Sequence, residues 1–159
     1  MSVAGNAQEK GGKAVGANLI FDTSIRGIGV KYYRYNVSKP FRVESSFNYY
    51  INRNRLNWDF CVNGHLLIPT GKRMKIYPLA GLGITRKSDD NYDYSDITED
   101  DDYNSREALT SANYWCCSIG CGIDYKINDR WTVNVELNHK QPLGTHYYTH
   151  LMAGLVYSF

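Results

Sequence analysis

An eight-stranded antiparallel up-and-down transmembrane β-barrel, an all-β fold, is the architecture this chain of 159 residues predicts. Three observations lead there. Apolar side chains recur at every second position through several segments, which is the period of a strand whose two faces meet different surroundings. Tyrosine and glycine are abundant, 14 of each, with 14% aromatic residues in all, a composition that favours strands and tight turns over helices. No apolar run reaches the ~20 residues that a spanning helix needs, so a membrane could be crossed only by strands. The mean hydropathy of -0.47 does not argue against this, because alternation dilutes the apolar half across the chain. A net charge of +2 is too small to suggest a nucleic-acid partner.

The alternation is clearest over 41–51, where Phe41, Val43, Phe47, Tyr49 and Ile51 share one face and Arg42, Glu44, Ser46 and Asn48 the other. It recurs over 56–66, with Leu56, Trp58, Phe60, Val62 and Leu66 opposed by Asn57, Asp59, Asn63 and His65. It recurs again over 131–140, with Trp131, Val133, Val135 and Leu137 opposed by Thr132, Asn134, Glu136, Asn138 and Lys140. Three shorter patterns add strands: Val15, Ala17, Leu19 and Phe21 within 13–22; Ile28, Val30 and Tyr32 within 27–36; Trp115, Ile119, Ile123 and Tyr125 within 114–125, opposite Ser118, Gly120, Gly122 and Asp124. Over 74–85 the outward set is Ile76, Ala80, Leu82 and Ile84, and Pro78, which cannot donate to a ladder, predicts a bulge. The tail closes the set with Leu151, Ala153, Leu155, Tyr157 and Phe159 on one face and Gly154 and Ser158 on the other. The total is about eight strands of roughly ten residues, the length of a tilted strand that crosses a bilayer.

The connections sort by side. Residues 37–40, 69–73 and 126–130 are short turns on the side of both termini, whereas 22–26, 52–55, 86–111 and 141–145 lie opposite and include the one long loop. Short turns on one side and a long loop on the other match the periplasmic and extracellular ends of outer-membrane barrels. The barrel proper is expected over 13–159. Residues 1–12 read as a signal-peptide remnant and flexible amino-terminus: the small-residue run Ser2 to Ala7 has the composition of a secretory cleavage site, with export and a mature start near Gln8 as the consequence.

Four cysteines, Cys61, Cys116, Cys117 and Cys121, lack a zinc spacing, and no metal or other cofactor is expected. They are open to two readings, a disulfide from Cys61 to another cysteine or buried free thiols that pack as small apolar residues.

Taken together, the alternating strands, the aromatic carboxy-terminus, Gln8-Glu9-Lys10-Gly11 and Tyr77-Pro78-Leu79-Ala80-Gly81-Leu82-Gly83 resemble the small OmpX/OmpA-type outer-membrane barrels and the "porin family" barrels of Bacteroidota. The resemblance runs from Gln8 to Phe159 and implies a bacterial outer-membrane location among outer-membrane lipid. It implies further that Leu151, Leu155, Tyr157 and Phe159 are the insertion signal read by the barrel-assembly machinery. It brings no catalytic residues, since the family is defined by fold.

An eight-stranded barrel is filled by its own side chains, so a wide pore is not expected. The polar face places Lys31, Arg42, Glu44, Asp59, Asp124, Glu136, Lys140 and His150 in the lumen, where buried charges must pair. In the last hairpin a five-residue loop over 141–145 would set Lys140 opposite His146 and Glu136 opposite His150. The loop 86–111 is acidic and reads first as a solvated, self-repelling segment; Tyr92, Tyr94 and Tyr103 are the residues with which it would contact an extracellular partner.

These readings converge on a monomeric barrel with a filled polar lumen and a structural or surface-interaction role, not an enzyme. Two alternatives stand beside it. A soluble lipocalin-like ligand-binding barrel would need the apolar face inside. A lipid-modifying outer-membrane enzyme would use a histidine of the last hairpin, His139, His146 or His150, but only Thr145 and Thr149 lie near as hydroxyl partners.

Overall fold

The computed structural model describes residues 12–21, 26–36, 40–51, 56–89, 110–144 and 147–159. Eight strands run β1 Lys13–Phe21, β2 Arg26–Tyr35, β3 Phe41–Tyr50, β4 Leu56–Leu66, β5 Met74–Asp89, β6 Thr110–Lys126, β7 Trp131–Pro142 and β8 Tyr148–Ser158. Each pairs antiparallel with its neighbours in sequence, and β8 returns to β1, closing the ring. A two-residue segment, Ile68–Pro69, extends the ladder onto β5.

Closure fixes which side of each strand is inside. Leu82 is 62% and Trp115 64% exposed on the outer wall, whereas Arg42 is 1% and Glu136 0% exposed within. The outer wall carries Val30, Phe47, Val62, Ile119, Leu137 and Leu155 through its middle. Aromatic side chains gather toward its ends, Phe21, Tyr49 and Trp115 at one and Phe41, Tyr125, Trp131 and Phe159 at the other. A continuous apolar band between two aromatic girdles is a lipid-facing surface, and its extent is far beyond what a soluble monomer exposes. The lipocalin-type alternative, apolar inside and polar outside, is the reverse of this arrangement.

The interior is packed in two apolar layers with charges between and around them. Ala14, Tyr33, Tyr35, Leu67, Tyr77, Leu79 and Val156 form the layer at the end of the barrel that holds both termini of the ring. Ile20, Tyr50 and Met152, with Tyr148 against them, form the other. The tyrosines do most of this filling, and Tyr33, Tyr50 and Tyr77 each sit next to an outward aromatic or apolar neighbour, which hides their inward direction in the alternation.

Four local expectations are corrected. The long connection is shorter at both ends, because β5 and β6 stay paired from Arg86↔Asn113 to Asp89↔Thr110; the residues between, with Tyr92, Tyr94 and Tyr103, lie outside the described set. Pro78 causes no bulge: the β4 side of the ladder stops at His65↔Leu79 and resumes at Ile68↔Ile76 in the same register. The missing proline donor is skipped without an inserted residue, and the register shift falls instead between Leu56 and Trp58. Cys61, Cys116, Cys117 and Cys121 are all free thiols, which removes the disulfide reading, and only Cys61 and Cys116 are buried, since parity turns Cys117 and Cys121 outward.

The fourth correction concerns the last hairpin. His150 is buried in the lumen, but it lies opposite Asn138, while Glu136 lies opposite Met152 and Lys140 opposite Tyr148. Facing is as expected and the register differs by two residues. The cause is the turn: β7 continues to Pro142 against β6, and the reversal is made at Gly144, whose φ of 83° suits glycine. His146 and Thr145 lie outside the described residues.

A lipid-facing outer wall makes a direct demand on Leu137, near the middle of β7. Leu137→Arg should destabilise the folded barrel by about 2–4 kcal/mol in reversible unfolding from lipid vesicles. An unchanged unfolding midpoint would contradict the outward assignment.

Candidate functional site

The polar lumen is the site to which the sequence points, and it is built from inward positions of seven strands, β2 to β8. Lys31 on β2 is the hub of its lower half: its Nζ lies 3.2 Å from Glu44 Oε2 on β3 and 2.9 Å from Glu136 Oε2 on β7. Tyr77 donates to the same Glu136 oxygen at 3.1 Å, and Asn63 donates to Glu44 Oε1 at 3.1 Å. Arg42 pairs with Asp124 at 2.5 Å, and Asn134 donates to the other oxygen of Asp124 at 2.8 Å. The guanidinium also lies over the rings of Tyr33 and Tyr77, 4.4 and 4.7 Å from their centroids. That placement gives a buried cation both charge and quadrupole partners.

The upper half centres on Asp59 of β4. It accepts from Lys140 at 2.6 Å, from Asn48 at 2.8 Å and from the Tyr50 hydroxyl in a short hydrogen bond. His150 stacks on Tyr50, 5.2 Å between centroids, and meets Tyr148 edge-on at 4.7 Å. So the structure brings Lys31, Arg42, Glu44, Asp59, Glu136 and Lys140 into two networks, with His150 beside the upper one and not against Glu136. Asn57 has no described side-chain surroundings.

Three contacts lay beyond the sequence reading. His65 joins the lower network, its Nδ1 accepting from Arg42 Nε at 3.2 Å and its ring stacked on Tyr77 at 4.7 Å. Its parity with Asn63 gave the inward direction, but nothing local named Arg42. Parity alone turned Gly122 inward but did not give its role there: inside the ring such glycines are spacers. Tyr77, Gly122 and Glu136 stand in one row across β5, β6 and β7, and the Tyr77 side chain crosses the space that a Gly122 Cβ would fill. Asn63–Gly81–Ser118 repeats the device, with Ser118 Oγ donating to Asn63 Oδ1 at 2.6 Å over the glycine.

What can this interior do chemically? The ligand atoms of Glu44, His65 and Glu136 lie within 4.8 Å of one another, close enough for a metal. The space between the carboxylates is taken by the Lys31 ammonium, and the His65 Nδ1 lone pair is engaged by Arg42. The neutral ring then carries its proton on Nε2 and has no free lone pair to coordinate with. The cluster is therefore an ion-pair network closed on itself. Among the described residues the lumen as a whole buries three cations, Lys31, Arg42 and Lys140, against four carboxylates, Glu44, Asp59, Asp124 and Glu136.

Since Lys31 stands between the two carboxylates of Glu44 and Glu136, Lys31→Met should cost about 3–5 kcal/mol. The combined Lys31→Met, Glu44→Gln, Glu136→Gln variant should recover most of that loss. Denaturant midpoints in lipid check this; a single variant as stable as the parent would contradict the hub role.

The chain matches the family described as outer membrane protein beta-barrel domain over residues 3–159. Among solved structures it is similar to the N-terminal β-barrel domain of Pseudomonas aeruginosa OprF, with a TM-score of 0.69, 13% identity, and 94% of this chain and 98% of that one covered. It is also similar to Neisserial surface protein A, with a TM-score of 0.60, 14% identity and coverage of 93% and 96%. Ail, the attachment invasion locus protein of Yersinia pestis, follows with a TM-score of 0.57, 14% identity and coverage of 94% and 99%. No curated protein matches the chain in sequence. With charges inside, an apolar band outside and a family match over nearly its whole length, this chain belongs to the outer-membrane β-barrel family and is an eight-stranded barrel of the bacterial outer membrane.

Proposed function

We propose that the protein is a monomeric, non-conducting outer-membrane barrel that holds the connection within 86–111 at the cell surface as a contact segment. The observation that carries this reading is the occupied lumen. Lys31, Arg42 and Lys140 are all buried and each lies within 3.2 Å of a carboxylate, so ions passing through would have to break these pairs. What varies from plain scaffold is the β5–β6 hairpin, whose 16- and 17-residue strands outreach their neighbours on the side away from both ends of the ring. The sequence it presents contains Asp90, Asp93, Asp96, Glu99, Asp100, Asp101 and Asp102 with Tyr92, Tyr94 and Tyr103. Ail has been solved with the heparin analogue sucrose octasulfate. The acidic character of this segment favours the opposite partner, a basic protein surface, with the tyrosines as contact area. On the same reading Leu151, Leu155, Tyr157 and Phe159, on or next to the closing strand, are what the barrel-assembly machinery recognises.

A lipid-directed enzyme is the second reading, favoured by one contact. On the outer wall His139 Nδ1 lies 3.0 Å from Thr149 Oγ1, a base beside a hydroxyl. Among the described residues the imidazole's other neighbour is the Tyr147 ring, at 5.1 Å between centroids, so the pair lacks the carboxylate that orients a hydrolytic histidine.

Two measurements test the proposal. Purified protein in planar bilayers should show no porin-sized conductance steps, and such steps would overturn the closed lumen. Protease added to intact cells should cut within 90–109 and leave the strands embedded; cleavage there only after the outer membrane is opened would reverse the orientation. The enzymatic reading requires that His139→Ala and Thr149→Ala each change outer-membrane lipid composition, which the proposal expects to stay as it is.

A further inference from the structure

We propose that Cys61 and Cys116 form a two-thiolate binding site for one soft monovalent metal cation, of the Cu(I) or Ag(I) class, inside the upper end of the barrel. Cys61 of β4 lies opposite Gly83 of β5, and Gly83 lies opposite Cys116 of β6, so the two cysteines flank a glycine in one row. Both are buried, at 0% and 1% exposure, and their sulfurs are 4.0 Å apart. Gly83 clears the space between them: a Cβ there would stand 2.6 Å from Cys61 Sγ.

Distance decides what can join these thiols. Adjacent strands are about 4.8 Å apart, so cysteines on second-neighbour strands have Cα atoms separated by roughly 9–10 Å. A disulfide spans at most about 7 Å between Cα atoms, so oxidation cannot link them without moving a strand. A metal with two thiolate bonds of about 2.3 Å bridges sulfurs up to ~4.6 Å apart, and a bent arrangement fits the separation found here.

The surroundings select the kind of metal. Asp59 Oδ1 lies 3.7 Å from Cys61 Sγ, but that carboxylate already accepts from Lys140, Asn48 and Tyr50. With two sulfurs, and with the neighbouring carboxylate engaged, the site suits a two-coordinate soft ion over zinc, which takes four ligands. Binding is a proton exchange without redox change: each thiol releases its proton, and two sulfur–metal bonds form. Cys116 pairs with Pro142, the last residue of β7, so on that side the site lies at the end of a strand.

The test uses the folded full chain in detergent with Cys117→Ser and Cys121→Ser, since those two thiols are exposed on the outer wall. Cu(I) is titrated anaerobically against a competing Cu(I) chelator. The proposal expects one ion retained per barrel, with two sulfur neighbours in X-ray absorption. Cys61→Ser and Cys116→Ser should each weaken retention by more than about a hundredfold. Heat-modifiable migration establishes that each variant is folded, and Cys61→Ala or Cys116→Ala replaces any serine variant that is not. No retained ion in the starting protein, retention unchanged in the folded single variants, or a Cys61–Cys116 disulfide formed in air would each overturn the proposal.

Discussion

The narrowness of an eight-stranded ring is the constraint on which the rest of this molecule depends. Every second residue of every strand must point inward, and there is not enough room for each of those positions to carry a large side chain. The chain answers by alternating bulk with absence. Tyr33, Arg42, Tyr77 and Lys140 are among the largest buried groups, while Gly29, Gly81, Gly83 and Gly122 take inward positions between them. A glycine between two side chains does more than save volume. It lets residues on second-neighbour strands touch, as Tyr77 touches Glu136, Ser118 touches Asn63, and Cys116 approaches Cys61. Contacts of this kind tie three strands at once and give the lumen its cross-linked character.

That packing makes the charge distribution tolerable. Removing Lys31, Arg42, Lys140 and four carboxylates from water is costly, and their mutual attraction offsets the cost only where geometry is good and remaining hydrogen-bonding positions are filled. Asp59 meets the requirement with three donors, and Glu136 does so with Lys31 and Tyr77. The apolar outer wall is the complement of this arrangement: with all charge inside, Leu82, Trp115 and Ile119 are left to face lipid. Closure of the lumen and residence in the membrane are two results of one inside-outside sorting. The β5–β6 hairpin has the longest strands of the ring, and the contact role proposed for this protein rests on it.

Much of this was legible because a strand has a period of two and a closed ring has one inside. Once Phe47 was outward, Arg42, Glu44 and Asn48 had to be inward, and they are. Partners across the lumen were not legible in the same way. Lys31 and Glu136 are 105 residues apart, and no local pattern joins them. The last hairpin shows where parity ends: it placed His150 and Glu136 on the correct side, but the length of the turn around Gly144 set their rungs two apart. Pro78 was read as a bulge because a proline breaks a ladder, yet the ladder simply skips it. The glycine rows carry no signal in one strand; they exist only when three strands are in register.

The most direct test of this account is a double-mutant cycle on Tyr77→Phe and Glu136→Gln, measured by reversible unfolding in lipid and repeated with Gly122→Ala. If the glycine gap is what lets Tyr77 reach Glu136, the coupling between them should be about 0.5–3 kcal/mol in the parent and near zero in the alanine background. A coupling of the same size in both would mean that side chains bridge these strands without the gap, and the central constraint proposed for this barrel would be wrong.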